Sequence, residues 1–226
     1  MRVLFVQHQA DAPPGLVGDR LAGLGATIEM VQARAERLPD PAGFDLVVPL
    51  GSSDSAADES VTYLRSEWSL LERAVEIGIP VFGICFGAQL LCRVLGGQAG
   101  PMPDGPELGW VTVETTAPDV VAPGPWLTWH SDRLEPGLDS VQVARTRRSA
   151  QAFVHGPHLG VQFHPEATAG SVRAWVARYS DEVDRLGIDP DAVVADTRER
   201  TGGGYRLTDE LVDRVLARAG LLPGAA

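Results

Sequence analysis

With 226 residues, of which 44% are hydrophobic and 22% charged, the chain has the size and composition of one globular domain, and no apolar run reaches the roughly 18 residues that a membrane span requires. The formal net charge of −11 argues against nucleic acid as a partner, because binding phosphates takes clustered cations. No basic segment precedes an apolar one at the start, so we predict neither a secretory signal nor a membrane partner and expect a cytoplasmic protein.

The first half of the chain alternates short apolar stretches with longer amphipathic ones. Strands are predicted at residues 2–7, 27–32, 44–50 and 79–85, and helices at 17–26 and 62–78. This alternation indicates parallel strands joined by right-handed crossovers, with helices on both faces of the sheet. We therefore expect an α/β fold with a flavodoxin-like, doubly wound and mostly parallel sheet.

The second half of the chain loses this alternation. A segment rich in proline and glycine begins near residue 100 and contains a strand-like stretch at 110–116. Strands are then predicted at 141–147, 150–156 and 158–164, with no helix between them, which indicates an antiparallel extension of the sheet.

Two helices are predicted to close the chain. They cover residues 171–187 and 207–221, and Thr208 or Asp209 is a plausible cap of the second. We expect a main domain over residues 1–187 and a C-terminal helical extension over 188–226 that packs on the same domain.

Cys85 stands where the fourth predicted strand turns into a helix, in the stretch "GICFGAQLL". The carboxyl edge of a parallel sheet is where open α/β folds form their ligand crevice. Gly83 and Gly87 suit a sharp strand-to-helix turn, and the start of the following helix directs free amides at the sulfur, which favours the thiolate. The pattern predicts a nucleophile.

A second stretch, "GVQFHPE", supplies a possible base and its partner. His164 and Glu166 are two residues apart, so in an extended chain they share a face, and the carboxylate would orient the imidazole. His164 could then take the Cys85 proton and later give it to a leaving amine.

A third stretch, "VVPLGSSDS", ends the third predicted strand at the same edge of the sheet. A backbone amide of this loop, that of Gly51 or of Ser52, could bind an oxyanion together with the amide of Phe86. The sequence leaves the choice between the two loop residues open.

Together, "GICFGAQLL" and "GVQFHPE" resemble the class I glutamine amidotransferases, and in particular free-standing GMP-synthase-like members. The likeness extends to "PELGWVTV" and "WHSDRLEP" and covers about residues 1–185. The loop departs from the common Gly-Gly-Pro of that family, since it contains Ser52 and Ser53, and we expect a low rate without a partner if the loop is not preformed.

The resemblance implies roles for individual residues. Cys85 would be the nucleophile, His164 the base and Glu166 its orienting acid, while Gln89 would bind the glutamine substrate. His130 and Asp132 would lie beside the substrate, with a possible binding role.

Other cysteine and histidine residues carry weaker signals. Cys92 is predicted to be a buried helix residue that forms no disulfide with Cys85, and His8 has no obvious partner in the sequence. His155 and His158 are expected in an exposed turn. No ligand spacing typical of zinc occurs, and we predict no metal and no cofactor.

We therefore predict a glutaminase that forms a γ-glutamyl thioester on Cys85 and delivers ammonia to a separate synthetase or other acceptor enzyme, because no ATP-pyrophosphatase signature occurs in the chain. One alternative is a γ-glutamyl hydrolase or transferase acting on a larger γ-glutamyl amide, which an open groove past Trp110, Trp126 and Trp129 would admit. Another alternative is a catalytically idle binding or regulatory module.

Overall fold

A computed structural model describes residues 1–34 and 37–222. Its strands are β1 (Arg2–Gln7), β2 (Thr27–Gln32), β3 (Leu46–Pro49), β4 (Phe82–Ile84), β5 (Gln98–Pro101), β6 (Glu107–Val111), β7 (Glu114–Thr115), β8 (Trp126–His130), β9 (Asp132–Glu135), β10 (Val141–Arg145), β11 (Ala150–His155) and β12 (His158–Val161). Its α-helices are α1 (Gly15–Gly23), α2 (Leu64–Glu76), α3 (Phe86–Val94), α4 (Ala169–Arg178), α5 (Ser180–Arg185), α6 (Pro190–Thr201) and α7 (Arg206–Arg218).

The central sheet has a parallel half and an antiparallel half. Its strands follow the order β2-β1-β3 and then β4-β12-β11-β10-β7, and a parallel bridge between Val47 and Val81 joins the two groups. Strands β2, β1 and β3 pair in parallel, as do β4 and β12, whereas β12, β11, β10 and β7 pair antiparallel. The predicted doubly wound fold with an antiparallel extension is confirmed.

Alternate side chains of the parallel strands enter two cores. In β1, Val3 and Phe5 pack in one cluster with α1 and α7, while Leu4 and Val6 pack in the other with α2 and α3. This two-residue period places helices on both faces of the sheet, and it explains why these strands are apolar throughout. Within the described ranges, no helix has the length and apolar character needed to cross a bilayer.

Several boundaries differ from the sequence-based prediction. The predicted strand at 110–116 is divided between β6 and β7, which belong to different sheets. The predicted helix at 171–187 is interrupted at Tyr179, the residue between α4 and α5. Strand β12 ends at Val161, three residues before His164, and β5, β8, β9 and α6 were not predicted from the sequence.

The predicted cap of the last helix is wrong. Helix α7 follows Tyr205, which makes no side-chain capping bond, and Thr208 lies inside the helix. The Thr208 hydroxyl instead donates to the carbonyl of Pro165 at 2.7 Å, so its hydrogen bond goes to the segment that carries His164 and Glu166.

The C-terminal helices pack against the rest of the chain. Leu211 and Val215 of α7 are buried in the cluster that contains β1, and Val193 of α6 packs in a third cluster with Trp175 of α4. The boundary at residue 187 stays a prediction, and residues 223–226 lie outside the described part of the chain.

Candidate active site

Cys85 occupies a strained turn between β4 and α3. Its φ of 51° lies in the left-handed region, where a non-glycine residue is disfavoured. A Cβ on Gly87 would lie 2.1 Å from the carbonyl oxygen of Pro49, and one on Gly83 would lie 2.7 Å from that of Gly87. Both neighbours must therefore be glycine for the helix to begin directly after the cysteine at the edge of the sheet.

His164 and Glu166 form a buried hydrogen-bonded pair. The Nδ1 atom of His164 lies 2.6 Å from Oε1 of Glu166, and the Nε2 atom lies 3.3 Å from the carbonyl oxygen of Trp129. Burial alone would lower the pKa of His164, but the Glu166 carboxylate and the Cys85 sulfur together raise that pKa well above its usual value. Both ring nitrogens face acceptors, which agrees with a protonated imidazole.

Cys85, His164 and Gly51 meet at one place. A Cβ built on Gly51 would lie 3.2 Å from Cε1 of His164 and 3.8 Å from Cβ of Cys85. The Cys85 sulfur also lies 3.7 Å from the side-chain nitrogen of Gln162. The sequence-predicted nucleophile, base and loop are thus brought together by three strand ends.

The cysteine opens into a polar cleft. Gln89, His130 and Asp132, the predicted substrate-binding residues, all line it. The Gln89 amide donates to the carbonyl oxygen of Asp132 at 3.1 Å, and Nδ1 of His130 lies 2.9 Å from the same oxygen. These three residues therefore form one connected wall of the cleft.

Other residues of the cleft were missed by sequence reasoning. Asp54, Ser55, Tyr179 and Glu182 also line it. Tyr179 is the residue at which the predicted helix at 171–187 is broken, and Glu182 belongs to α5, directly after that break. Gln162, which contacts the Cys85 sulfur, could have been found, since it is two residues before His164 and an extended segment would place both on one face.

The loop after β3 bonds to a pair that the sequence did not reveal. The carbonyl oxygen of Gly51 lies 3.1 Å from Nδ1 of His8, whose Nε2 lies 2.7 Å from Glu67 of α2. The Ser52 hydroxyl contacts the Tyr63 hydroxyl at 2.8 Å. The amide of Gly87 donates to the carbonyl of Leu50 at 3.1 Å, which ties this loop to the start of α3.

The tryptophans do not line a common groove. Trp129 borders the cleft, but Trp126 is 1% exposed and stacks on Phe163 with ring centroids 4.5 Å apart. Trp110 donates to the hydroxyl of Thr197 in α6. The groove that would have favoured a larger amide is therefore absent among these three residues.

Of the remaining predictions, the one for Cys92 agrees with the structure and the one for His158 does not. Cys92 is buried, and burial raises the pKa of its thiol to about 11; both Cys92 and Cys85 are free thiols. His158 was predicted to be exposed, and this is wrong: it is 3% exposed, and its Nδ1 accepts a hydrogen bond from the amide of Val81. Burial lowers the pKa of His158 to about 4, which keeps the ring neutral.

Comparison with known proteins identifies the family of the chain. A family model for glutamine amidotransferase class-I matches residues 16–178. A glutamine-hydrolyzing GMP synthase from Aeropyrum pernix is 33% identical over 165 residues, covering 67% of this chain but only 30% of the relative. One subunit of the glutamine-hydrolyzing GMP synthase from Ignicoccus hospitalis is 32% identical over 137 residues, covering 57% of this chain and 70% of the relative.

Solved structures match over nearly the whole chain. A glutamine amidotransferase from Thermotoga maritima superposes with a TM-score of 0.85 at 27% identity, covering 97% of both chains. A glutamine amidotransferase from Methylobacillus flagellatus gives a TM-score of 0.86 at 25% identity, covering 96% of this chain and 94% of the other. The chain therefore belongs to the class I glutamine amidotransferase family.

Proposed function

We propose that this protein hydrolyses the side-chain amide of glutamine through a thioester on Cys85, with a Cys85–His164–Glu166 triad. The observation that carries the proposal is the 2.6 Å contact between His164 and Glu166, made by a buried imidazole that adjoins a cysteine at a helix N-terminus. A thiolate, an imidazolium and a carboxylate in this order are the groups required for nucleophilic attack on an amide.

The first half-reaction forms the thioester. The Cys85 proton resides on His164, and the sulfur attacks the side-chain amide carbon (Cδ) of glutamine to give a tetrahedral oxyanion. When the carbon–nitrogen bond breaks, His164 returns its proton to the leaving nitrogen, and ammonia departs. The raised pKa of His164 suits this role. Burial opposes the protonated ring, but the Glu166 carboxylate and Cys85 favour it more strongly, so His164 holds the proton before the transfer.

The second half-reaction reverses these roles. His164 takes a proton from water, whose oxygen attacks the thioester carbon, and the carbon–sulfur bond breaks to release glutamate. Glu166 holds the ring in place and stabilises its positive charge in both halves. We assign the oxyanion to the amide of Phe86, the first residue of α3, and to an amide of the loop that contains Gly51 and Ser52.

The cleft suits glutamine as the donor. It is lined by polar side chains, and Gln89, His130 and Asp132 form a wall that could hold the amino-acid end of the substrate. A larger amide is disfavoured, since Trp126 lies in the core instead of bordering an open groove.

Ammonia would pass to a separate acceptor enzyme. One relative is named as a subunit of a glutamine-hydrolyzing GMP synthase, and this chain covers 70% of it. That name supports a division of labour in which a separate synthetase uses the ammonia that the triad releases.

The function is tested by measuring glutamate and ammonia release from glutamine by the purified chain. We expect turnover by the unmodified protein and by Cys92→Ala, and none by Cys85→Ala. Lysate from the source organism should raise the rate if it supplies the acceptor. Turnover of γ-glutamyl p-nitroanilide without turnover of glutamine would replace this proposal by a γ-glutamyl hydrolase. If Cys85→Ala kept its activity on either substrate, the triad would be refuted.

A further inference from the structure

A buried histidine–glutamate pair contacts the loop after β3. His8 follows β1 and Glu67 belongs to α2, and both side chains are 0% exposed. The Nε2 atom of His8 is 2.7 Å from Oε2 of Glu67, and its Nδ1 atom is 3.1 Å from the carbonyl oxygen of Gly51. The triad does not use this pair, and burying two ionisable groups is costly unless they are paired.

The protons on His8 are fixed by its partners. A carbonyl oxygen only accepts hydrogen bonds, so Nδ1 must carry a proton and donate it to Gly51. The Nε2 atom of His8 and the Glu67 carboxylate share one proton between them. Glu67 thus fixes the tautomer of the ring and keeps a donor aimed at the loop.

His8 also contacts the second source of oxyanion amides. Its ring packs edge-on against Phe86, with centroids 4.8 Å apart, and in a tilted arrangement against Tyr63, with centroids 5.2 Å apart. Phe86 begins α3 directly after Cys85. A single rigid ring therefore contacts both the loop after β3 and the start of the nucleophile's helix.

The bond to Gly51 determines where the next amide points. In a trans peptide the carbonyl and the following N–H point in opposite directions. The Gly51 carbonyl points at His8, so the N–H of Ser52 points away from His8, and Ser52 lines the cleft together with Cys85.

We propose that His8 and Glu67 are positioning residues that hold the Gly51–Ser52 peptide so that the Ser52 amide completes the oxyanion hole with that of Phe86. The inference rests on the proposed glutaminase function. It selects Ser52 over Gly51 as the loop donor. It also implies that the hole is preformed, so that glutamine is hydrolysed without a partner.

The test uses two double variants that differ in one hydrogen-bond donor. His8→Leu/Glu67→Leu removes both polar groups and so leaves no unpaired buried charge. His8→Asn/Glu67→Leu restores a donor, since the Asn side-chain nitrogen occupies about the position of Nδ1. We expect the first variant to lose about 10²–10³-fold in kcat for glutamine, with KM changed less than about threefold, and the second to regain at least about tenfold of that loss.

Alkylation of Cys85 by iodoacetamide is the control reaction, because it needs the thiolate but forms no oxyanion. Its rate should stay within about threefold of the unmodified rate in both variants. Equal kcat in the two variants, or an alkylation rate that falls with kcat, would overturn the proposal. If His8→Leu/Glu67→Leu does not fold, His8→Met/Glu67→Leu takes its place in these measurements.

A crystal structure of His8→Leu/Glu67→Leu separates this inference from the proposed function. Absence of glutamine turnover by the unmodified protein would refute the glutaminase, but the peptide orientation can still be read. A Gly51–Ser52 peptide turned over in the variant supports the positioning role, and an unchanged peptide overturns it.

Discussion

At the scale of single residues, the site depends on backbone positions as much as on reactive side chains. Gly87 lets α3 approach β3 so closely that an added methyl group would meet the Pro49 carbonyl oxygen at 2.1 Å. A carbonyl in a strand cannot move away freely, so the helix or the strand would have to shift. Cys85, two residues earlier, would move with it.

Gly87→Ala should therefore lower the free energy of unfolding by about 1–3 kcal/mol, measured by urea denaturation, because of this overpacking. The matched control is Gly23→Ala in α1, where nothing lies within 4 Å of the added Cβ, and there we expect a gain of about 0.5–1 kcal/mol. Equal effects of the two substitutions would contradict the steric argument.

The raised pKa of His164 predicts a defined pH dependence for the proposed activity. Burial opposes protonation, but Glu166 and Cys85 raise the pKa, so the protonated ring persists above the ordinary histidine range and is lost only as pH rises through the raised value. Glu166→Gln should move the alkaline fall of kcat/KM to lower pH and reduce kcat/KM at least about tenfold. The profile is measured from about pH 6 to about pH 10, a range that brackets ordinary histidine titration.

The control for that profile is Glu76→Gln, which removes an exposed carboxylate of α2. It should leave the profile unchanged. An alkaline limb at the same pH in the unmodified protein and in Glu166→Gln would mean that another group controls the reaction.

The site residues that could be predicted from the sequence are those whose signals are local. Cys85 was predicted from its flanking glycines, and His164 with Glu166 from a two-residue step. The His8–Glu67 contact joins residues 59 positions apart, on a strand end and a helix, so no spacing in the sequence indicates it. Long-range pairs of this kind depend on how elements pack.

At the scale of elements, the break between α4 and α5 lies beside the cleft. A continuous helix over 171–187 is predicted from the sequence, but the helix is interrupted at Tyr179, and both Tyr179 and Glu182 of α5 line the cleft with Asp54 and Asp132. Glu182 is held by Arg185 at 2.9 Å. The amphipathic pattern continues through the break, which is why the sequence predicted one helix.

Glu182→Gln should raise KM for glutamine about 3- to 10-fold and leave kcat within about twofold, since its carboxylate lines the cleft and would attract the substrate's ammonium group. The steady-state rate as a function of glutamine concentration measures both constants. Asp184→Asn, at an exposed position of the same helix, serves as the control and should change neither. An unchanged KM in Glu182→Gln would place the ammonium elsewhere.

At the scale of the whole molecule, the last helix, α7, shares one core with the strands that carry the candidate site. Leu211 of α7 is 0% exposed and packs in the cluster that contains β1, and Thr208 bonds the Pro165 carbonyl between His164 and Glu166. The amphipathic pattern predicted α7, but the face of the sheet that it covers depends on distant strands. The antiparallel pairs β5–β9 and β6–β8 were missed for the same reason.

Leu211→Ala should lower the free energy of unfolding by about 2–5 kcal/mol, because it leaves a cavity in this core. Leu186→Ala, at a residue that is 41% exposed, should change it by less than about 1 kcal/mol. Thermal or urea unfolding measures both. A Leu211→Ala effect as small as that of Leu186→Ala would show that α7 contributes little to the fold.

The central claim is that Cys85 is the nucleophile toward the side chain of glutamine. The most direct measurement is labelling of the purified protein with the diazo ketone analogue of glutamine, followed by mass spectrometry of the modified peptide. We predict one label per chain, on Cys85 and not on Cys92, and a labelling rate that falls when glutamine is added. A label on Cys92, or a rate that glutamine does not slow, would contradict this claim.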